Sequence, residues 1–146
     1  MANEQRDYKI FEEFAYAMID RARICSQPDT DFTLDIAGPV YAFDSTVIDL
    51  CLSVFWWAEF RTTKAAVKIH TLLDVKTSIP CFVHITNGAT HDVHGLDVLK
   101  YETGGFYVLD RGYVDFERLF KINLCGAYFV TRAKDNLNFF GSLLVK

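Results

Sequence analysis

The chain has 146 residues, with 15 Lys+Arg against 19 Asp+Glu and 51% apolar residues, which excludes two domains of ordinary size and also excludes a disordered chain, since the latter lacks the apolar surface to offset ordering entropy. A formal net charge of -4 excludes a polybasic arm that binds nucleic acid by bulk charge alone. No run approaches the roughly 20 apolar residues of a membrane helix, and the polar start MANEQRDYKI has no apolar leader segment, so the expectation is a soluble, cytoplasmic protein with one core and no membrane partner.

In chain order, Phe11, Phe14, Ala15, Met18, Ile19 and Ala22 recur at helical spacing and predict an amphipathic helix over 8–24 that buries this stripe. Turn formers from Ser26 to Asp31 and the pair Gly38-Pro39 make 26–39 an irregular arm. Residues 1–39 are therefore read as helix and arm, and 40–146 as the core. Val40-Tyr-Ala-Phe-Asp44 is a short apolar strand that delivers a carboxylate at its end. An aromatic connection follows, in which Trp56 and Trp57 either pack in the core or a subunit contact, or stack on unpaired bases.

The β-branched run Ala65–Val75 predicts a second strand, with Val67, Ile69, Thr71 and Leu73 on one face and Lys68 and His70 on the other. Ile79–Ile85 follows across a short turn at Lys76–Ser78 as an antiparallel partner. Thr90 is the expected N-cap of a helix over 91–99, and Gly104-Gly105 stops it. Gly105–Asp110 is a fourth apolar strand ended by an acid; Asp115 caps a helix carrying Phe116, Leu119, Phe120 and Leu124; Ala127–Thr131 is the fifth strand. The order β-β-β-α-β-α-β requires a mixed α/β sheet of five strands with helices on its faces, because helical crossovers join parallel strands and short turns join antiparallel ones.

Asp44 and Asp110 both end apolar strands, where side chains of α/β proteins look into the ligand crevice. If those strands are parallel neighbours the carboxylates converge, and hard oxygens so placed suit Mg²⁺ or Mn²⁺ in phosphoryl transfer; otherwise each acid merely exits its strand. Lys64, Lys68, Arg111, Arg132 and Lys134 either line a groove for phosphates or are solvated charge. The four histidines, His70, His84, His91 and His94, and the four widely spaced cysteines, Cys25, Cys51, Cys81 and Cys125, lack zinc-site spacing; the thiols are expected to be reduced and in the core.

Asp110-Arg-Gly-Tyr113 together with Asp44-Ser-Thr46 resembles bacterial insertion-sequence transposases of the DDE class, in particular the insertion-sequence-four group. Leu50–Ser53, Lys68–Leu72, His91-Asp92, Tyr113–Glu117 and Phe129–Lys134 are also similar to that group, so the likeness spans about residues 38–138. The resemblance implies a ribonuclease H-like core that cleaves transposon ends and joins DNA strands, with Asp44 and Asp110 as ligands of Mg²⁺ or Mn²⁺. Arg111 and Tyr113 would then contact phosphate or nucleotide, and the protein would work on the nucleoid; separately, the apolar tail Leu137–Phe140 and Leu143–Val145 is expected to be an exposed patch through which the chain self-associates.

The third acid of the family, a glutamate in a Tyr-x-x-Arg-x-x-x-Glu-x-x-x-x-x-x-Lys helix, has no match, since Glu117 is the sole glutamate after Asp110. The chain is thus expected to be the N-terminal part of a transposase core, inactive by itself. Two other readings stand beside this one: a non-catalytic DNA-binding or interaction remnant, and a stand-alone ribonuclease H-like nuclease with Asp74, Asp115 or Glu117 as the third ligand.

Overall fold

Val40, Tyr41 and Phe43 are buried and open the strand β1 (Val40–Leu50), around which the sheet is built in the computed structural model of the chain; residues 7–26, 36–50, 59–61 and 64–133 are described. β1 does not stop at Asp44 as expected. It continues because β3 (Lys64–Asp74) lies antiparallel along its whole length, from Tyr41 opposite Asp74 to Leu50 opposite Ala65, and offers ladder partners that local sequence cannot reveal. On the other side of β1 only Val40–Phe43 are paired, in parallel, with Phe106–Leu109 of β5 (Phe106–Leu109).

β2 (Glu59–Arg61) was not predicted; it pairs antiparallel with the first residues of β3. β4 (Ile79–Asn87) lies antiparallel to β3 from Asp74 to Val67, and β6 (Tyr128–Thr131) runs parallel to β5. The sheet order is β2-β3-β1-β5-β6 with β4 also on β3, so apart from the three-residue β2 it is the expected mixed five-stranded sheet, consistent with a ribonuclease H-like fold. The β3–β4 turn is held by Asp74, whose Oδ1 accepts from the Lys76 and Thr77 amides at 2.9 and 3.4 Å, an Asx turn. Trp56, Trp57, Cys51, Lys134 and the tail 137–145 lie outside the described residues.

Asp115 caps α2 (Phe116–Leu124) as expected, accepting from the Arg118 amide at 3.1 Å. Thr90 caps nothing. Its hydroxyl donates to Asn87 Oδ1 at 2.8 Å, and Asp92–Val98 coils as a 3₁₀ segment rather than an α-helix. Gly95 explains its close seat: a Cβ there would lie 2.7 Å from His70 Nδ1 and 2.9 Å from Phe43.

Helix α1 (Lys9–Cys25) forms, but not with the expected face inward. Of the predicted stripe only Ile19 is buried, while Phe11, Phe14 and Met18 are 54%, 64% and 50% exposed. The helix is turned by a polar contact with the edge strand β4, where the Tyr16 hydroxyl donates to the Val83 carbonyl at 2.8 Å and accepts from the Val83 amide at 3.2 Å. Satisfying both groups of an edge peptide sets the rotation, and Glu12, Ala15, Tyr16 and Ile19 face the sheet.

The main core joins Tyr41 and Phe43 of β1, Leu72 of β3, Tyr107 and Leu109 of β5, Leu96 and Leu99 near the 3₁₀ segment, and Leu119 and Ile122 of α2. On β3 the inward face is the one carrying Lys68, His70 and Leu72, all buried. The described cysteines are free, but Cys25 and Cys125 are exposed and only Cys81 is half-buried, which corrects the expectation of core thiols.

Candidate metal centre

Phe43 and Leu109, 2% and 4% exposed, form the last parallel pair between β1 and β5. Side chains alternate along extended chain, so the next residues, Asp44 and Asp110, both turn away from the core, and both are exposed. Two carboxylates therefore follow the last parallel pair of two adjacent strands, Asp110 just past the end of β5 and Asp44 within β1, which runs on to Leu50 instead of ending at the acid as the sequence predicted. Asp44 Oδ1 accepts from the Ser45 amide at 2.8 Å. Beyond Asp110 the chain makes a 3₁₀ turn, Arg111–Tyr113, closed by a Tyr113 amide bond to the Asp110 carbonyl at 3.0 Å.

That turn drives the Tyr113 ring inward, edge-on to Phe43 at a centroid distance of 5.3 Å. Tyr113 is 3% exposed, and its buried hydroxyl has no hydrogen-bond partner. Burial and the negative charges of Asp44, Asp92 and Asp110 push its pKa up to about 12, with the nearby Ser45 hydroxyl pulling the other way.

Asp92, at the start of the 3₁₀ segment, is the residue that sequence reasoning missed. Its Oδ1 accepts from the Ser45 hydroxyl at 2.9 Å and pairs with Lys68 Nζ at 2.9 Å. Burial raises the Asp92 pKa, but the bonds from Lys68 and Ser45 outweigh it, and the net shift is downward. The available signal was the His91-Asp92 pair, which was noted only as part of the resemblance. Beside this pair His70 is stacked on Phe43, has Nε2 at 3.0 Å from Thr86 Oγ1, and leaves Nδ1 buried without a partner. Burial first, then the charges of His84 and Lys68, lower its pKa against the pull of Asp92.

Of the predicted phosphate contacts, Arg111 follows Asp110 directly and is exposed, and Arg132 is exposed just past β6, whose Thr131 is level with Leu109; both stand at the carboxylate end of the sheet. Lys64 starts β3, beyond the Ala65–Leu50 pair. Lys68 points inward, and its ammonium is held by the Thr90 carbonyl at 2.6 Å as well as by Asp92. The three acids considered as a further ligand have other partners: Asp74 holds its turn opposite Tyr41, Asp115 caps α2 and bridges Arg118 at 3.1 Å, and Glu117 pairs with Lys121 at 2.8 Å. Among the described residues no group of three His, Cys, Asp or Glu side chains is placed to hold a metal ion.

Two carboxylates fit an ion that takes hard oxygens and keeps much of its water, as Mg²⁺ does. A separate groove, lined by Val114, Phe116, Phe120, Phe129 and Val130 among others, has no charged lining residue among the described residues. No helix among the described residues is long and apolar enough to cross a membrane.

Residues 36–140 match the family described as "Transposase DDE domain". The chain is 30% identical over 94 residues to a protein named as transposase y4zB from Sinorhizobium fredii, covering 64% of this chain and 26% of that protein. It is 33% identical over 107 residues to one named as a transposase for insertion sequence element IS5377 from Geobacillus stearothermophilus, covering 72% and 28%. A third, named for element IS4SA of Synechocystis, is 24% identical over 143 residues, covering 93% and 38%. The chain thus spans between a quarter and two fifths of the length of these relatives. No solved structure matches the chain. With its family match taking in both Asp44 and Asp110, the chain belongs to the DDE-domain transposases.

Proposed function

We propose that Asp44 and Asp110 are ligands of Mg²⁺ or Mn²⁺ in the catalytic core of an insertion-sequence transposase that cleaves DNA at transposon ends and joins strands. The observation that supports this reading is the Phe43–Leu109 pair, after which an aspartate follows directly on each of two adjacent parallel strands. When bound, the ion would polarise a phosphate and activate a water or a 3′-hydroxyl for in-line displacement. Arg111 and Arg132 hold DNA phosphates at the same end of the sheet, and Lys64 and Lys134 remain candidates by sequence alone; such contacts position a duplex without reading its sequence.

In-line displacement at two ions needs more carboxylate than the described residues bring together, so this chain is expected to be silent towards supercoiled plasmid. That no group of three possible metal ligands occurs among the described residues also favours a second reading, a DNA-binding remnant that keeps the fold without the reaction. Isothermal titration with Mn²⁺ tests the primary reading: the parent binds one ion in roughly the millimolar range, as for a weak carboxylate site, and Asp110→Asn does not bind. Unchanged binding in Asp110→Asn moves the ion elsewhere and removes the reading.

A further inference from the structure

We propose that Ser45, Asp92 and Lys68 form a positioning relay for Asp44; this rests on Asp44 being a metal ligand as read above. β1 loses its parallel neighbour after Phe43, because β5 ends at Leu109. At Asp44 and Ser45 the strand is laddered by β3 alone, opposite Thr71 and His70. A carboxylate there needs further fixing if it is to meet an ion in one orientation.

Ser45 supplies that fixing with two groups. Its amide donates to Asp44 Oδ1 at 2.8 Å, which leaves Oδ2 for the ion. Its hydroxyl donates to Asp92 Oδ1 at 2.9 Å, and the same oxygen receives Lys68 Nζ at 2.9 Å. Lys68 is anchored in turn by the Thr90 carbonyl at 2.6 Å, and its side chain is 11% exposed, so its charge has little water to fall back on. The relay thus ties the residue after Asp44 to β3 and to the start of the 3₁₀ segment.

Groups that orient a metal ligand from behind typically change affinity by 10–100-fold when removed. Ser45→Ala deletes one hydroxyl and leaves the Lys68–Asp92 pair in place, so it is expected to fold like the parent while binding Mn²⁺ about tenfold more weakly. Ser45→Thr keeps the hydroxyl on a residue suited to strands and is expected to restore binding. Titration of the parent, these two variants and Asp44→Asn with Mn²⁺, beside thermal melts without metal, separates the possibilities. Parent-like affinity in Ser45→Ala, or failure of Ser45→Thr to restore it while Asp44→Asn has lost it, overturns the relay. Retained binding in Asp44→Asn, or none in the parent, overturns the underlying metal reading instead.

Discussion

Lys68 and His70 sit on the inward face of a strand, where a charge and an imidazole need reasons to stay. For Lys68 the reason is Asp92, and the pair is asymmetric, with Lys68 at 11% and Asp92 at 42% side-chain exposure. Removing the partly solvated acid strands a shielded ammonium, whereas removing the lysine leaves an acid that water still reaches. Asp92→Ala is therefore expected to cost about 1–3 kcal/mol, and Lys68→Met less, because its apolar replacement fills the same space. Urea melts measure the order, and a larger loss for Lys68→Met contradicts this assignment.

His70 stays neutral in the fold because its pKa is lowered, by burial first and then by neighbouring His84 and Lys68. Below the ordinary value of 6.5 the unfolded chain takes up a proton that the folded chain refuses, so this group withdraws stability as pH falls from 6.5 towards its lower folded pKa. Asp92 adds a second loss lower down, as pH falls below 3.8. Thermal melts between pH 8 and 5.5 should decline at the acid end, and His70→Gln should flatten that decline; an equal slope in the variant assigns it to another group. Asp110 was legible as a strand-end acid because it follows an apolar run, and the same signal at Asp44 marked only where the pairing with β5 stops. Asp92 was not, since Ser45 and Lys68 reach it from strands distant in the chain.

At the scale of elements, the period of α1 showed that a helix forms but not which side it buries. The largest apolar residues were the natural guess, yet docking follows Tyr16, which meets both the amide and the carbonyl of Val83. Tyr16→Phe loses both bonds and is expected to destabilise by about 1–2 kcal/mol, with α1 exchanging its amide hydrogens faster than β1 or β3. Unchanged exchange in α1 would mean that Ile19 and its neighbours hold the helix alone. The same limit explains β1 and β2: strand length depends on partners, and Asp44 looked like a terminus because only the β5 side of the ladder ends there. Asp92–Val98 failed as an α-helix because Thr90 bonds to Asn87 and Gly95 packs tightly on His70 and Phe43.

At the scale of the molecule, alternating crossovers and hairpins dictated a mixed sheet, and the β4-β3-β1-β5-β6 neighbours set Asp44 and the residues just past β5 and β6, Asp110 and Arg132, at the same end of its parallel part. Residues far apart in sequence share that end because β1, β5 and β6 run parallel, with Asp44 following the last β1 residue that pairs with β5 and the other two following β5 and β6, the side on which α/β sheets bind ligands. The central claim is that one divalent ion lies between the carboxylates of Asp44 and Asp110. Anomalous diffraction from crystals soaked in Mn²⁺ measures this directly. The expected result is a peak about 2.1 Å from an oxygen of each aspartate, the spacing of a small hard cation, with water completing its shell. A peak at any other residues, or none beside these two, contradicts the claim.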